Sequence, residues 1–342
     1  MLIIGPCSAE SQQQLIDIAG AFADSEIISS SAPFSKIIFR AGLWKPRTSP
    51  SSFQGVGENG LPWLMKVSQS FGFPVATEVA TPEQMNLAVQ AGIDYLWIGA
   101  RTSADPIAVQ ALANMVQQLQ SSVRRQLTVL IKNPTNTDTA LWLGNIRRLQ
   151  AAGASVQAIH RGCNHRPCWE MAYRLRQEMP DVPLLLDPSH MSGQADLVPG
   201  LSHVALQLGL DGLMIEVHNQ PDCALSDAKQ QLTPAQLSSL LSVLAQDFPD
   251  RTHTARPDDL AWLRLMMDEV DDDLWNVYLR RMEVSRAIGA YKRQHNMKVV
   301  QPARFNEVLT RRLAWAKDHN LDPVIVETIL HQIHTESIRM QS

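Results

Sequence analysis

Up to about residue 246 the chain alternates short apolar runs with longer stretches whose apolar residues recur every three or four positions. The runs fall at residues 2–4, 37–39, 74–77, 95–98, 128–131, 156–159, 184–186 and 213–217. Continuous aliphatic runs of this length are what strands buried on both faces require. The stretches between them, such as 81–91 and 139–152, carry helical spacing. Eight strand–helix units over this length predict an α/β domain built as a closed (β/α)8 TIM barrel. An open doubly wound sheet is the alternative, but no Gly-x-Gly-x-x-Gly turn follows the first run.

The pattern changes after Gln246. Residues 247–257 are polar, contain two prolines and read as a linker. Beyond it Leu260, Leu263, Met267, Val270, Leu274 and Val277 recur at helical spacing, with Asp258 as a candidate cap. Further helices are expected over 302–319 and 322–341, the last with Pro323 in its first turn. The domains are therefore expected at 1–246 and 258–342, the second all-α. A three-helix unit with one very long helix rarely covers its own apolar stripe. It is expected to form a homodimer with a second copy.

Composition narrows the class. A length of 342 residues suits two domains, and 45% hydrophobic content suits a sizeable core. The net charge of −4 argues against a general nucleic-acid binder. No apolar stretch reaches membrane-spanning length, and the N-terminus lacks a signal-peptide pattern. Four cysteines without a regular framework point to free thiols. A cytoplasmic enzyme is the expectation.

Chemistry-bearing residues gather at the strand ends. Cys7 lies just past the first run, Arg40 ends the second and Glu78 the third. Arg101, Lys132, Arg161, the pair Asp187 and His190, and Glu216 follow the remaining five. A barrel brings all these positions to its C-terminal face, where active sites form. Residues 45–50, Lys-Pro-Arg-Thr-Ser-Pro, add Lys45 and Arg47 on a backbone stiffened by two prolines. This segment reads either as a solvated basic turn or as an anion grip. Arg40, Lys45, Arg47, Arg101, Lys132 and Arg161 together exceed what one carboxylate needs. Two phosphorylated substrates, or a phosphate and a carboxylate, would account for them.

Cys7, His190, Glu216 and Asp227 form a candidate divalent-metal site, because strands 7, 8 and 1 become neighbours when a barrel closes. Such a donor set suits a first-row transition metal better than magnesium. A buried thiol and a capping histidine are the plainer alternative. A metal beside anion-binding cations fits carbon–carbon bond formation between an aldehyde phosphate and an anionic partner. A Schiff-base sugar-phosphate aldolase is the rival, but no lysine stands out as desolvated. Cys163 and Cys168 match no common zinc spacing and, with Cys223, read as bystanders.

Seven segments carry a resemblance to a known family: Gly5-Pro-Cys-Ser-Ala-Glu-Ser11, Lys45-Pro-Arg-Thr-Ser-Pro-Ser-Ser-Phe-Gln-Gly55, Ile98-Gly-Ala-Arg101, His160-Arg-Gly162, Asp187-Pro-Ser-His190, Glu216-Val-His218 and Leu225-Ser-Asp227. Together they resemble 3-deoxy-D-arabino-heptulosonate 7-phosphate (DAHP) synthase, closest to the β branch of the type I enzymes. The resemblance implies condensation of phosphoenolpyruvate with erythrose 4-phosphate, the first step of the shikimate pathway. It implies Cys7, His190, Glu216 and Asp227 as ligands of a divalent metal, manganese foremost. It places Arg40, Lys45, Arg101, Lys132 and Arg161 on phosphoenolpyruvate, and Lys45, Arg47, Thr48 and Asp187 on the sugar phosphate. Regulated relatives often carry an N-terminal extension. With strand 1 starting at residue 2, regulation is expected from elsewhere in the chain.

Residues 258–342 carry Arg264, Arg281, Lys292, Arg304, Ser337 and Gln341, the last two sharing a helix face. By residues alone this is a charged dimerisation hairpin. The arrangement also resembles the all-helical chorismate mutase fold, which implies rearrangement of chorismate to prephenate without a cofactor. Arg264, from a partner copy, and Arg281 would clamp two carboxylates. Lys292 and Gln341 would face the breaking ether oxygen, and Arg304 and Ser337 complete the binding set. Gln301 departs from a common aspartate, and Phe305 from a glutamate that contacts the substrate hydroxyl. An inactive dimerisation or ligand-sensing module is the alternative. Prephenate or chorismate bound there is the expected feedback effector of the barrel.

Overall fold

The computed structural model describes residues 1–24, 33–46, 51–249 and 259–341. Eight parallel strands close a barrel in chain order: β1 (Leu2–Gly5), β2 (Ile37–Arg40), β3 (Val75–Val79), β4 (Tyr95–Ile98), β5 (Thr128–Lys132), β6 (Ser155–His160), β7 (Leu184–Leu186) and β8 (Gly212–Glu216). β1 and β8 seal it, with Leu2 opposite Leu213 and Gly5 opposite Glu216. The expected runs find their strands, with ends displaced by one or two residues. The run expected to reach 217 ends instead at Glu216, because Val217 leaves the ladder to bridge Leu232.

Strand alternation sorts the core into two layers. Ile3, Ile38, Ala76, Trp97, Leu130, Ile159, Leu185 and Met214, one from each strand, pack together and fill the barrel. Their sequence neighbours Leu2 and Ile4, Phe39, Val75, Leu96, Val129, Ala158, Leu184 and Leu213 face outward into a larger core shared with the helices. The helices are amphipathic for that reason. Helix Thr139–Ala151, for example, buries Trp142, Leu143, Ile146 and Leu149, and Asp138 caps it by accepting from Leu141 N at 2.9 Å.

The chain divides into two compact units, Met1–Met266 and Met267–Ser342. A helix of 36 residues, Asp259–Gln294, is followed by helices Pro302–Asp318 and Pro323–Gln341. Its first turns belong to the first unit, where Trp262 is buried against Trp169 with ring centroids 6.1 Å apart. The candidate cap Asp258 and linker residues 250–257 lie outside the described residues. Among the described residues no helix is long and apolar enough to cross a membrane.

Candidate functional site

Two residues beyond each interior residue, on the same inward face, stand Gly5, Arg40, Glu78, Gly99, Lys132, Arg161, Asp187 and Glu216. Six of these eight are charged, so a charged layer lies directly on the apolar plug. The glycines leave it room. A Cβ on Gly99 would lie 2.1 Å from Glu78 Oε1, closer than any side chain tolerates. Above this layer is a cavity of about 330 Å³. Lys45, Glu78, Arg101, Lys132, Arg161 and His190 are among the residues that line it.

Cys7, His190, Glu216 and Asp227 offer ligand atoms that all lie within 4.8 Å of one another. The Cys7 thiol donates to Asp227 Oδ2 at 3.0 Å, and His190 Nε2 lies 3.5 Å from Glu216 Oε1. Asp187 orients the histidine twice. Its Oδ1 caps the short helix Pro188–Ser192 by accepting from His190 N at 2.9 Å, and its Oδ2 lies 2.8 Å from Nδ1. With Nδ1 engaged, Nε2 is the ring nitrogen left to face the cluster, the arrangement metal-binding imidazoles use. Burial, then the Glu216 carboxylate, pushes the Cys7 thiol up to about 12. The Lys45 and Arg40 charges beside it do not suffice to hold it as thiolate; a metal ion bound to the sulfur would. A soft thiolate, an imidazole and two carboxylates at this spacing fit a divalent first-row metal.

The cations are held by anions of the same shell. Arg40 is buried with its guanidinium 4.6 Å from the Trp97 ring centroid, and Nη2 lies 3.0 Å from Glu216 Oε1. Its Nε and Nη1 have no partner among the described residues. A buried guanidinium with two idle donors is a binding site for an anion. Lys132 Nζ lies 2.6 Å from Asp187 Oδ2. Burial raises the Asp187 pKa, but His190, Lys132 and Arg40 outweigh it and hold the carboxyl well below its usual range. Arg101 is exposed and Arg161 half-buried at the rim. Asp187 does not line the cavity, because both its oxygens serve Lys132 and His190. Arg47 and Thr48 lie outside the described residues.

One sequence expectation needs correction. No lysine stood out as desolvated, yet Lys45 and Lys132 are 8% and 4% exposed. Burial alone would lower the Lys45 pKa and favour a neutral amine. Cys7, Glu78, Glu216 and Asp227 outweigh that and raise it. Lys45 therefore stays an ammonium, 3.0 Å from Cys7 Sγ, unsuited to attack a carbonyl.

Several supporting residues escaped sequence reasoning. Gln230 donates to Glu216 Oε2 at 2.7 Å, and Gln231 accepts from Cys7 N at 3.0 Å. Asn133 accepts from Arg161 N at 2.7 Å and so braces that arginine. The glutamines follow Asp227 by three and four residues, a proximity that is the one signal for them.

The helical unit gathers a second set. The Arg281 guanidinium donates to Ser337 Oγ and, at 3.5 Å, to Ile333 O. Lys292 is buried and donates to Gln341 Oε1 at 2.9 Å and Val299 O at 2.6 Å. The helices approach this closely because of Gly289, where a Cβ would lie 2.6 Å from the Gln341 backbone. Arg304 is not in this set; it pairs with Glu307 on its own exposed surface at 2.8 Å. Arg264 is exposed and belongs to the Met1–Met266 unit. Phe305 stacks on His334 with centroids 4.0 Å apart, an aromatic neighbour that sequence reasoning missed. Its signal was spacing: His334 precedes Ser337 by three residues and Gln341 by seven.

A (β/α)8 barrel with a thiol–imidazole–carboxylate cluster beside buried cations belongs to a narrow class. Residues 1–252 match the DAHP synthetase I family, and residues 263–342 match chorismate mutase type II. The chain belongs to the DAHP synthetase I family and carries a chorismate mutase type II domain behind the barrel. Phospho-2-dehydro-3-deoxyheptonate aldolase of Thermotoga maritima is 30% identical over 244 residues, covering 68% of this chain; the chain spans 64% of that relative's length. The 2-dehydro-3-deoxyphosphooctonate aldolase of Desulfatibacillum aliphaticivorans is 29% identical over 262 residues, 71% of this chain and 90% of the relative. The crystal structure of the Thermotoga maritima phospho-2-dehydro-3-deoxyheptonate aldolase (DAHP synthase) superposes with a TM-score of 0.61 at 28% identity. It covers 72% of this chain and 68% of that one.

Proposed function

We propose that the barrel condenses phosphoenolpyruvate with erythrose 4-phosphate and that the helical unit rearranges chorismate to prephenate. The observation that carries the first activity is the four-donor cluster at the edge of a cavity whose walls hold four cations of the predicted set, Lys45, Arg101, Lys132 and Arg161. Arg40, Lys132 and Arg161 offer donors for the phosphate and carboxylate of phosphoenolpyruvate, and Arg101 reaches them from the rim. Lys45 lies between the cluster and the cavity, where it meets both substrates. A divalent metal, manganese foremost, held by Cys7, His190, Glu216 and Asp227 supplies Lewis-acid polarisation of the aldehyde carbonyl. Held in line, the enol C3 attacks the aldehyde carbon. Water then adds to C2, and the C2–O bond to phosphate breaks as phosphate leaves.

Loss of condensation on chelation, restored by Mn²⁺, is the expected result; full activity after exhaustive chelation would overturn the reading. The octonate relatives imply a competing aldehyde one carbon longer. The same assay with a five-carbon aldose phosphate separates the two: a higher kcat/KM for the longer aldehyde reassigns the substrate.

In the helical unit, Arg281 and Lys292 are cations without a carboxylate partner among the contacts described above, which suits a dicarboxylate ligand. Met267, Val270, Leu274, Val277, Val284, Ile288 and Tyr291 form an exposed stripe at alternating spacings of three and four, interrupted only by Arg281 in the same register. A second copy covering that stripe would make a homodimer and bring its own charged residues to the site, Arg264 among them. A mutase assay expects Arg281→Ala to lower kcat/KM by about 10²–10³-fold. A wild-type chain without turnover would favour the inactive sensing module. Prephenate bound there is proposed to inhibit the barrel, since one chain then joins an early and a late step of one pathway. An unchanged condensation rate at saturating prephenate would reject this.

A further inference from the structure

His334 occupies a place in the helical unit that none of the roles above uses. It lies on helix Pro323–Gln341, on the face that presents Ser337 and Gln341. Its ring lies almost flat on Phe305, with centroids 4.0 Å apart and planes 17° apart, and His331 meets the same phenyl edge-on at 5.1 Å. The middle helix therefore fixes the plane of the imidazole without offering it a hydrogen bond. A ring held this way keeps its nitrogens for a ligand or for solvent.

The groups that act on its charge are basic, although one of them, His331, itself lies 3.8 Å from the Glu327 carboxylate. Arg281 and Lys292 act on it from the long helix and His331 from its own helix, while the middle helix contributes the uncharged Phe305. Burial, followed by those three groups, lowers its pKa from the ordinary histidine value. With no ligand charge nearby the imidazole is therefore biased towards neutral. A dicarboxylate arriving between Arg281 and Lys292 reverses every one of those charge effects. It screens the two cations and adds negative charge beside the ring.

We propose that His334 is the proton-coupled contact of this pocket: it is neutral in the free protein and takes one proton from solvent when a dicarboxylate binds, donating the new N–H to the ligand. This rests on reading the helical unit as a dicarboxylate site. It also gives the polar contact at position 334 to a pocket whose residue 305 is a phenyl ring. By linkage, a ligand that raises a group's affinity for protons binds more tightly as pH falls, by at most about tenfold per pH unit for one proton. His334 is thus a ligand-binding residue whose contribution grows below neutral pH.

The test is calorimetry of prephenate binding to the full chain at pH 7 in two buffers of different ionisation enthalpy. Wild type is expected to take up a fraction of a proton, up to about one per site, with affinity rising between pH 8 and 6. His334→Gln should abolish the uptake and flatten the profile, while His331→Gln should keep both. Binding without proton uptake, or uptake that survives in His334→Gln, overturns the proposal but leaves the dicarboxylate site standing. If wild type does not bind prephenate at all, the reading of the site and the proposal fall together. Should His334→Gln not fold, histidine ring resonances of wild type and His331→Gln decide: a ring moving towards imidazolium on adding prephenate supports the assignment, and unmoved rings overturn it.

Discussion

The barrel mouth and the helical pocket both collect cations for anionic ligands, and they differ in how those cations are kept. At the barrel mouth Arg40 meets Glu216 at 3.0 Å and Lys132 meets Asp187 at 2.6 Å, each pair almost wholly buried. Asp187 also orients His190 of the four-donor cluster, and Glu216 is itself a member of it. A closed barrel can do this because each of its eight strands delivers one side chain to one small layer. The helical pocket satisfies Arg281 and Lys292 with neutral groups, Ser337 Oγ, Gln341 Oε1 and backbone carbonyls, and leaves an apolar stripe in solvent. One site is complete within its fold. The other, on the reading proposed above, is finished by a second copy and by its ligand.

Removing a cation from the complete site should have the largest effect. Lys45→Ala leaves Glu78, Glu216 and Asp227 without their shared counter-charge and removes a donor from both substrates. Condensation should fall on the order of 10³-fold while chorismate turnover continues. Parallel loss of both activities would mean that the two regions are not independent. Leu274→Glu attacks the unfinished site from outside. Burying a carboxylate in a copy-to-copy seam costs several kcal/mol, so the dimer should dissociate roughly a hundredfold more readily. Mutase activity should drop with the dimer and condensation should not. Light scattering with both assays reads this, and a monomer that keeps full mutase turnover would sink the idea that the pocket needs a partner.

The barrel was legible in the sequence because strands buried on both faces must be continuous apolar runs. The site was legible because a charged residue two positions beyond an interior Ile, Leu or Met stands out against such a run. Arg40 after Ile38, Lys132 after Leu130 and Glu216 after Met214 all follow that rule. What stayed hidden depends on residues that meet only after folding. Gln230 and Gln231 sit in an unremarkable loop and matter because β8 closes against β1. The burial of Lys45 could not be read from a Lys-Pro dipeptide. His334 was passed over because its one signal, a spacing of three and seven from Ser337 and Gln341, gains meaning only when Phe305, on another helix, is placed beneath it.

A further effect concerns stability and sharpens the same contrast from the barrel side. His160 ends β6 facing outward, between Trp142 and Trp169 at centroid distances of 6.1 and 5.8 Å. Its Nε2 lies 2.7 Å from Pro167 O and donates to it, and Nδ1 has no partner among the described residues. Burial lowers its pKa to about 4, against 6.5 for an unperturbed ring. The unfolded chain therefore takes up the proton first as pH falls. Stability from this residue is full above about pH 6.5, is lost progressively down to about pH 4, and changes no further below that. The total is about 3 kcal/mol. His160→Gln keeps a donor for Pro167 O and has nothing to titrate. Denaturant midpoints of the two proteins between pH 7 and 4.5 should converge, the wild type losing its advantage as the pH drops. Curves that stay parallel would show that His160 takes up its proton as readily in the folded barrel as in the unfolded chain, and that the core around it is wetter than the two tryptophans imply.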